Sequence, residues 1–410
     1  MSSADHRLHG IDPAAVRHEY QDRRLGDLPD ARLVEAAAAI IARPKVDAPD
    51  SFVLHAPLEL LARGALLTHV SPGARLDAGL RIVWLAATYD AAGPSTDVVP
   101  GAHHDADGAI DLLLASIAAG DLDTAGAVGA WLGRNLDATD LSRAVGDGVV
   151  ASLAAAAHGA IYLHLLPRCA PRSPLAGALF GNLARELARN PAWALTWMDE
   201  TDRADGDLVA ALAGTPVLGR PGSDFIHPLM DQAERSGLAA DIVGPAVGPD
   251  VDARRATVDL LRVATASMLL ETPEYAPYGW SHCLTIPQAT ASIAPLLRAP
   301  DRALAVAATH IVGFRAGLGS APLRELARGR LSTDGTLPIA GPDADELQAV
   351  IDHAAVHPDA HLAKYVVACL DAARTDPDAA GQHLAAAVHL DRWWIGQPVT
   401  DDPVLATTPA

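Results

Sequence analysis

Apolar residues recur at spacings of three and four through most of this chain, inside alanine- and leucine-rich runs bounded by Pro, Gly, Asp and Ser. This spacing places apolar side chains on one face of an α-helix, whereas a strand requires alternation with a period of two. Alternating runs of β-branched or aromatic residues are nearly absent, and aromatic residues make up only 4% of the 410 residues. The sequence therefore predicts an all-α protein.

The predicted helices lie close together along the chain, and several begin at an Asp or Ser that can cap the first turn. They cover residues 30–42, 57–68, 76–89, 107–118, 121–132, 141–165, 173–188, 227–236, 251–270, 287–297, 301–318, 344–355, 361–375 and 377–388. No connecting loop is long or polar enough for a flexible interdomain linker. We therefore expect an N-terminal arm over residues 1–30, one large helical domain over 31–391, in which helix pairs can stack as in a solenoid, and a tail over 392–410.

Charge and hydropathy restrict the partners and the compartment. The chain has 31 Lys and Arg residues against 50 Asp and Glu, a formal charge of -19, so its average surface repels a phosphate backbone and we expect no nucleic-acid partner. No apolar run approaches the roughly 18 residues of a membrane span, and the N-terminal residues are charged where a signal peptide is apolar. Three widely spaced cysteines form no metal or redox motif. These features predict a cytoplasmic protein.

Histidines carry the main chemical signal, since the chain has 17 of them and several lie inside apolar runs. A single histidine on an apolar helix is more often a hydrogen-bonded core residue than a metal ligand, but several such residues favour a site. Those in apolar surroundings are His55, His158, His164, His282 and His361.

Lys364 lies three residues after His361, on the same helix face, with no acidic residue three or four positions away on either side. Two interpretations are open for this lysine. Its stem lies along the surface with the amine in water, or its amine is buried and neutral. A neutral amine can react with carbon dioxide to form an anionic carbamate, which is a hard oxygen ligand for a metal.

Four short blocks of the sequence resemble, in the same order, those of the questin oxidase-like family of aromatic-polyketide tailoring enzymes. The blocks are HAPLELLARG at His55, AAHGAIYLHLLPR at His158, SHCLTIPQA at His282 and HLAKYVVACLDA at Lys364. The resemblance implies a largely helical enzyme of secondary metabolism, a dioxygenase that opens an anthraquinone-type ring oxidatively. It also implies a non-haem Fe(II) held by histidines and a carboxylated lysine, with O2 as co-substrate.

The implied metal ligands are His55, His158, His282, His361 and the carbamate on Lys364. His158 and His164 are six residues apart and point about 120° away from each other on a straight helix, so both cannot easily bind one metal. We prefer His158 as the ligand, and His164 as a substrate contact or a group behind the ligands. Five protein ligands in an octahedron leave one position for water or O2.

Tyr278 and Trp280 precede His282 in a segment expected to be a loop. We expect them either to stack on a flat aromatic substrate or to anchor that loop.

Two other functions are compatible with the sequence. In one, the protein is a metal-free helical scaffold that binds a protein or peptide in a groove. In the other, it is an NADPH- and flavin-dependent Baeyer–Villiger oxidase. The second receives little support, because the nearest match to a dinucleotide-binding glycine loop, at residues 146–151, lies between helical segments. No Walker A, GxSxG or HExxH motif is present.

Overall fold

The computed structural model describes residues 5–103, 105–169, 174–199, 201–223, 225–272, 277–397, 399 and 402–405. Its helices are α1 (Asp5–Leu8), α2 (Val16–Asp22), α3 (Asp30–Ile41), α4 (Ser51–Leu66), α5 (Arg75–Ala91), α6 (Ala106–Ala119), α7 (Leu122–Asn135), α8 (Ala138–Val150), α9 (Gly159–Cys169), α10 (Pro174–Arg189), α11 (Leu208–Ala213), α12 (Ile226–Arg235), α13 (Leu238–Val243), α14 (Ala253–Leu270), α15 (Pro277–Ile293), α16 (Pro300–Leu318), α17 (Leu323–Ala327), α18 (Ala344–Val356), α19 (Ala360–Thr375) and α20 (Ala380–Ile395). Extended pairing within these described ranges is limited to two isolated bridges. The prediction of a single all-α, multi-helical domain is confirmed.

Aspartates begin many of these helices, as the sequence pattern indicates. An Asp side chain at the N-cap accepts a hydrogen bond from a backbone N–H of the first turn, which would otherwise lack a partner. In the part of the chain described, such caps include Asp50, Asp105, Asp121, Asp137, Asp207, Asp343 and Asp359. Two of them, Asp50 before α4 and Asp359 before α19, set the start of helices that carry site residues.

Two predicted helix starts at proline are wrong. Pro57 lies inside α4, which begins at Ser51, and Pro287 lies inside α15, which begins at Pro277. An internal proline removes one backbone hydrogen bond and normally ends a helix. Here the Asp50 cap starts α4 earlier, and α15 is buried along nearly its whole length, so packing offsets the local cost.

A third difference concerns the predicted helix over residues 141–165, which is broken. Its first part belongs to α8 and its last part to α9, and the backbone between them turns at Ala155, Ala156 and Ala157 with φ of 50°, 52° and 55°. Alanine is the strongest helix former and has a Cβ that disfavours this left-handed region, so no sequence pattern predicts the break.

Four helices surround the region of the predicted metal ligands. Each packs on the next in a closed ring, α4 on α9, α9 on α15, α15 on α19 and α19 on α4. Because the inward faces of these helices meet, side chains that are far apart in sequence come together there.

Both ends of the chain pack onto the same core. Val16 and Leu25 of the predicted N-terminal arm are fully buried, and α20 continues past residue 391 to Ile395. Val404 in the predicted tail is also buried, and Asp402 pairs with the buried Arg81.

Within the residues described, no helix has both the length and the apolar character to cross a membrane.

Candidate metal centre

His55 lies on α4, one turn after the Asp50 cap. Its Nδ1 lies 2.5 Å from the backbone oxygen of Ser51. A carbonyl oxygen can only accept, so Nδ1 carries the proton and Nε2 carries the lone pair. That Nε2 atom is buried and has no hydrogen-bond partner.

His282 and His361 repeat this arrangement on two other helices. Nδ1 of His282 donates to the backbone oxygen of Tyr278 at 2.8 Å, and Nδ1 of His361 donates to Oδ1 of Asp359 at 3.0 Å. In both residues the lone pair is therefore on Nε2. This use of an oxygen acceptor to fix the tautomer is typical of histidines that bind metal through the other ring nitrogen.

His158 is fully buried and lies directly between the left-handed alanine turn and the start of α9. Its Nε2 lies 3.1 Å from Nε2 of His282, and its Nδ1 has no partner. Two nitrogens that bind one cation at right angles, with bonds of about 2.1 Å, lie about 3.0 Å apart. The separation observed here is close to that distance.

The four imidazoles form one cluster. The ring centre of His55 lies 4.8 Å from that of His158 and 4.8 Å from that of His361, and His282 lies 5.2 Å from His158 and 5.0 Å from His361. Ligand atoms of His55, His158 and His282 all lie within 4.8 Å of one another. Burial first, and then the neighbouring Lys364 ammonium, hold the pKa of all four histidines well below its usual value.

Lys364 completes this cluster. Its side chain is 3% exposed and its Nζ has no hydrogen-bond partner, so the interpretation of a stem on the surface is wrong. Burial lowers the pKa of this amine to about 7, against the opposing influence of the Asp359 and Glu59 carboxylates. Glu59 is itself held by two hydrogen bonds from Arg63. The Lys364 amine therefore lies among neutral imidazole rings, and no described carboxylate forms an ion pair with it.

His164 lies outside the cluster. Its Nε2 is 2.8 Å from Oδ2 of Asp371, and Arg168 donates to the same oxygen. His158 precedes α9 rather than lying within it, so the angle expected for a straight helix does not apply. The structure separates the two histidines, because His158 contacts His282 and His164 contacts Asp371.

Tyr278 and Trp280 lie in the first turn of α15, so the expectation that they belong to a loop is wrong. The Tyr278 ring is 46% exposed and its centre lies 4.5 Å from that of His361. Trp280 is 1% exposed and faces the Arg315 guanidinium, 5.4 Å from its ring centre. Only Tyr278 therefore presents a ring surface to solvent beside the cluster.

Sequence reasoning missed the acidic residues behind the cluster, Asp359 and Glu59. Asp359 both caps α19 and accepts from Nδ1 of His361. Glu59 lies four residues after His55, on the same face of α4. Two sequence signals could have identified them. One is an acidic residue two positions before a candidate ligand at a helix start, and the other is an acidic residue four positions after a candidate ligand within a helix.

Together these residues could hold a divalent transition-metal ion. Neutral imidazole nitrogens suit Zn, Cu, Fe and Ni, and an oxygen anion on Lys364 would favour Fe over the softer metals. Such an ion would give a partner to the unpartnered Nε2 of His55 and would lie beside the unpartnered amine of Lys364, whereas the unpartnered nitrogen of His158 is Nδ1 and its Nε2 faces His282. No protein-family model, curated protein or solved structure matches the chain.

Proposed function

We propose that the protein is a non-haem iron-dependent dioxygenase that cleaves a carbon–carbon bond in the ring of an aromatic polyketide such as an anthraquinone, in cytoplasmic secondary metabolism. The observation that carries the proposal is the meeting of four neutral imidazoles, from α4, α15, α19 and the turn before α9, around the buried and unpartnered amine of Lys364. The ordered resemblance of the four sequence blocks to the questin oxidase-like family agrees with it.

The metal in this proposal is Fe(II), held by His55, His158, His282, His361 and a carbamate on Lys364. When bound, it would supply the activation of O2 towards an electron-rich aromatic ring. The chain provides the rest: Ser51, Tyr278 and Asp359 hold three imidazoles through Nδ1, so that each Nε2 is fixed before the metal arrives.

Carboxylation of Lys364 follows from the chemistry of its surroundings. Nζ of a neutral amine attacks the carbon of CO2, a nitrogen–carbon bond forms as one carbon–oxygen π bond opens onto oxygen, and the nitrogen loses one proton to water, which gives a carbamate with one negative charge. That charge supplies the anion that the cluster lacks, and a metal ion beside it would replace the missing hydrogen-bond partner of the side chain.

The substrate in this proposal is a small aromatic molecule that lies beside the partly exposed ring of Tyr278, which covers His361. His164 keeps the role of a substrate contact or of a group behind the ligands; Asp371 holds its ring, and Gln288 lies 3.3 Å from its Nε2.

The test is metal analysis of protein purified without a metal-binding tag, loaded anaerobically with Fe(II) and desalted. We expect one iron per chain in the wild type and none in Lys364→Met. The matched control is His310→Gln, because His310 is fully buried, donates through Nδ1 to a backbone oxygen and has an unpartnered Nε2, yet lies on α16 away from the cluster. This variant should keep its iron.

Carboxylation has a separate readout, the appearance of a carbamate carbon signal in NMR spectra after incubation with 13C-labelled bicarbonate. The chain has two lysines, so Lys45→Met and Lys364→Met assign the signal. Iron-loaded protein should also consume O2 with an anthraquinone-type substrate. Wild-type protein without stoichiometric iron, or Lys364→Met with full iron and turnover, would refute the proposal.

A further inference from the structure

A second concave feature lies apart from the histidine cluster, in a cleft between α4, α10, α12 and the left-handed turn. The cleft has a volume of about 440 Å³, within the range of small-molecule sites. Its principal lining residues are Leu54, Ala155, Ala156, Trp193, Phe225 and His227. A cavity of this size is too small for a folded partner and large enough for a ligand of several rings.

Flat apolar walls form the mouth of the cleft. The rings of Trp193 and His227 stack with centres 4.0 Å apart and planes 23° apart. Phe225 beside them is 73% exposed, and Trp193 is 38% exposed. Aromatic rings left open to water beside a concave pocket indicate a surface that a ligand covers.

The cleft carries no net charge for a ligand to answer. Apart from the His227 imidazole, its acidic and basic side chains are Glu186 and Arg189, and these are joined by two hydrogen bonds of 2.9 and 3.0 Å. The pair is thus neutral as a unit, and an ionic ligand would lose its hydration without gaining an unpaired countercharge.

A much smaller cavity adjoins the cleft at Leu54 and Ala155. This cavity shares Pro49, Leu54, Ala155 and Glu186 with the cleft but has a volume of only about 10 Å³, room for about one water molecule. A ligand of several rings therefore stops at Leu54 and Ala155. Leu54 directly precedes His55, and Ala155 begins the turn that leads to His158.

We propose that this cleft binds an uncharged, flat and largely apolar small molecule, with the Trp193–His227 pair against one of its faces and its inner end at Leu54 and Ala155. This ligand is distinct from the substrate of the proposed dioxygenase, because Tyr278, beside which that substrate lies in the proposed function, does not line the cleft. Binding itself requires neither iron nor turnover.

The test uses metal-free protein and Nile red, an uncharged planar dye whose fluorescence rises in apolar surroundings. We expect one dye molecule per chain and binding weakened at least about tenfold in Trp193→Ala, since loss of stacking and buried area exceeds 1.4 kcal/mol. Leu112→Ala is the matched control, because Leu112 is 41% exposed on α6 and does not line the cleft. Its affinity should equal that of the wild type.

The charge requirement is tested by displacement of the dye with 2-naphthol and with 2-naphthalenesulfonate. Neutral 2-naphthol should displace it at a concentration at least about tenfold lower than the anion. Absence of dye binding, several dye molecules per chain, equal affinity in Trp193→Ala or equal displacement by the anion would overturn the proposal. Dye binding that depends on Trp193 in a protein that fails to retain iron would support this cleft and refute the dioxygenase, so the two proposals fail separately.

Discussion

Replacement of Lys364 by methionine should stabilise the metal-free protein while it abolishes iron binding. In the folded chain the amine is 3% exposed, has no hydrogen-bond partner and has its pKa lowered from 10.5 to about 7. In the unfolded chain the same amine is protonated and hydrated at neutral pH. Folding therefore either removes the proton of the Lys364 amine or buries its charge. Folding of the variant requires neither, because methionine has a similar length and no charge.

The stabilisation expected for Lys364→Met decreases as the pH rises. Because the folded pKa lies below the unfolded pKa, the unfolded chain binds more protons between pH 7 and 10.5, and the free energy of unfolding rises with pH there. The two pKa values place the cost of the wild-type lysine at about 4 kcal/mol at pH 7 and about 2 kcal/mol at pH 9. The advantage of Lys364→Met should shrink accordingly, by about 1 kcal/mol per pH unit.

The assay is urea unfolding followed by circular dichroism, with EDTA and CO2-free buffer, for wild type and variant at pH 7, 8 and 9. Lys45→Met serves as the control, because the Lys45 amine donates to the backbone oxygens of Asp90 and Gly93 and to Ser95. That variant should be less stable than the wild type, since it leaves these acceptors unpartnered. A Lys364→Met protein less stable than wild type at pH 7, or a difference between them that does not change with pH, would refute the reasoning.

Three further outcomes are expected. His158→Ala should lose stoichiometric iron and His164→Ala should retain it in the same metal analysis, because only His158 contacts the cluster. Ala156→Gly should raise the free energy of unfolding, measured in urea, by about 0.5–1 kcal/mol, since glycine tolerates φ of 52° and its greater freedom when unfolded offsets part of the gain. Arg262→Met should lower the free energy of unfolding by about 3–5 kcal/mol in the same assay, because it leaves the buried Asp376 carboxylate without its ion pair.

Most of the fold was predictable from apolar spacing, and the errors share one cause. The predicted starts at Pro57 and Pro287 apply a local rule that is correct for isolated helices. In this protein α4 and α15 lie in a ring of helices whose packing outweighs the loss of one backbone hydrogen bond. The alanine run before His158 shows the opposite error. The helix propensity of alanine favours a helix there, but the tertiary structure contains a turn.

The candidate site was predictable in its membership but not in its geometry. Histidines inside apolar runs identified the residues, because burial of an imidazole requires a partner. Helical spacing favoured His158 over His164, in agreement with the structure, but the expectation of a continuous helix missed the left-handed turn that precedes His158. Likewise, Trp280 carries the same sequence signal as Tyr278, and only the three-dimensional packing shows that it faces Arg315 instead of solvent.

Two features that lower the folding stability of this chain, an unpaired buried amine and a strained turn, lie at the same histidine cluster. Other buried cations in the described structure have hydrogen-bond partners: Arg63, Arg262 and Arg315 pair with carboxylates, and Lys45 donates to backbone oxygens and to Ser95. Lys364 has none, and the strained alanine turn lies next to the histidine that faces the same cluster. A core built for stability alone would replace this amine with an apolar side chain and this turn with helix or glycine. In the proposed metal site, a bound cation and a carbamate would account for both features, because the carbamate would remove the unpaired amine and the turn directly precedes the histidine that would bind the cation.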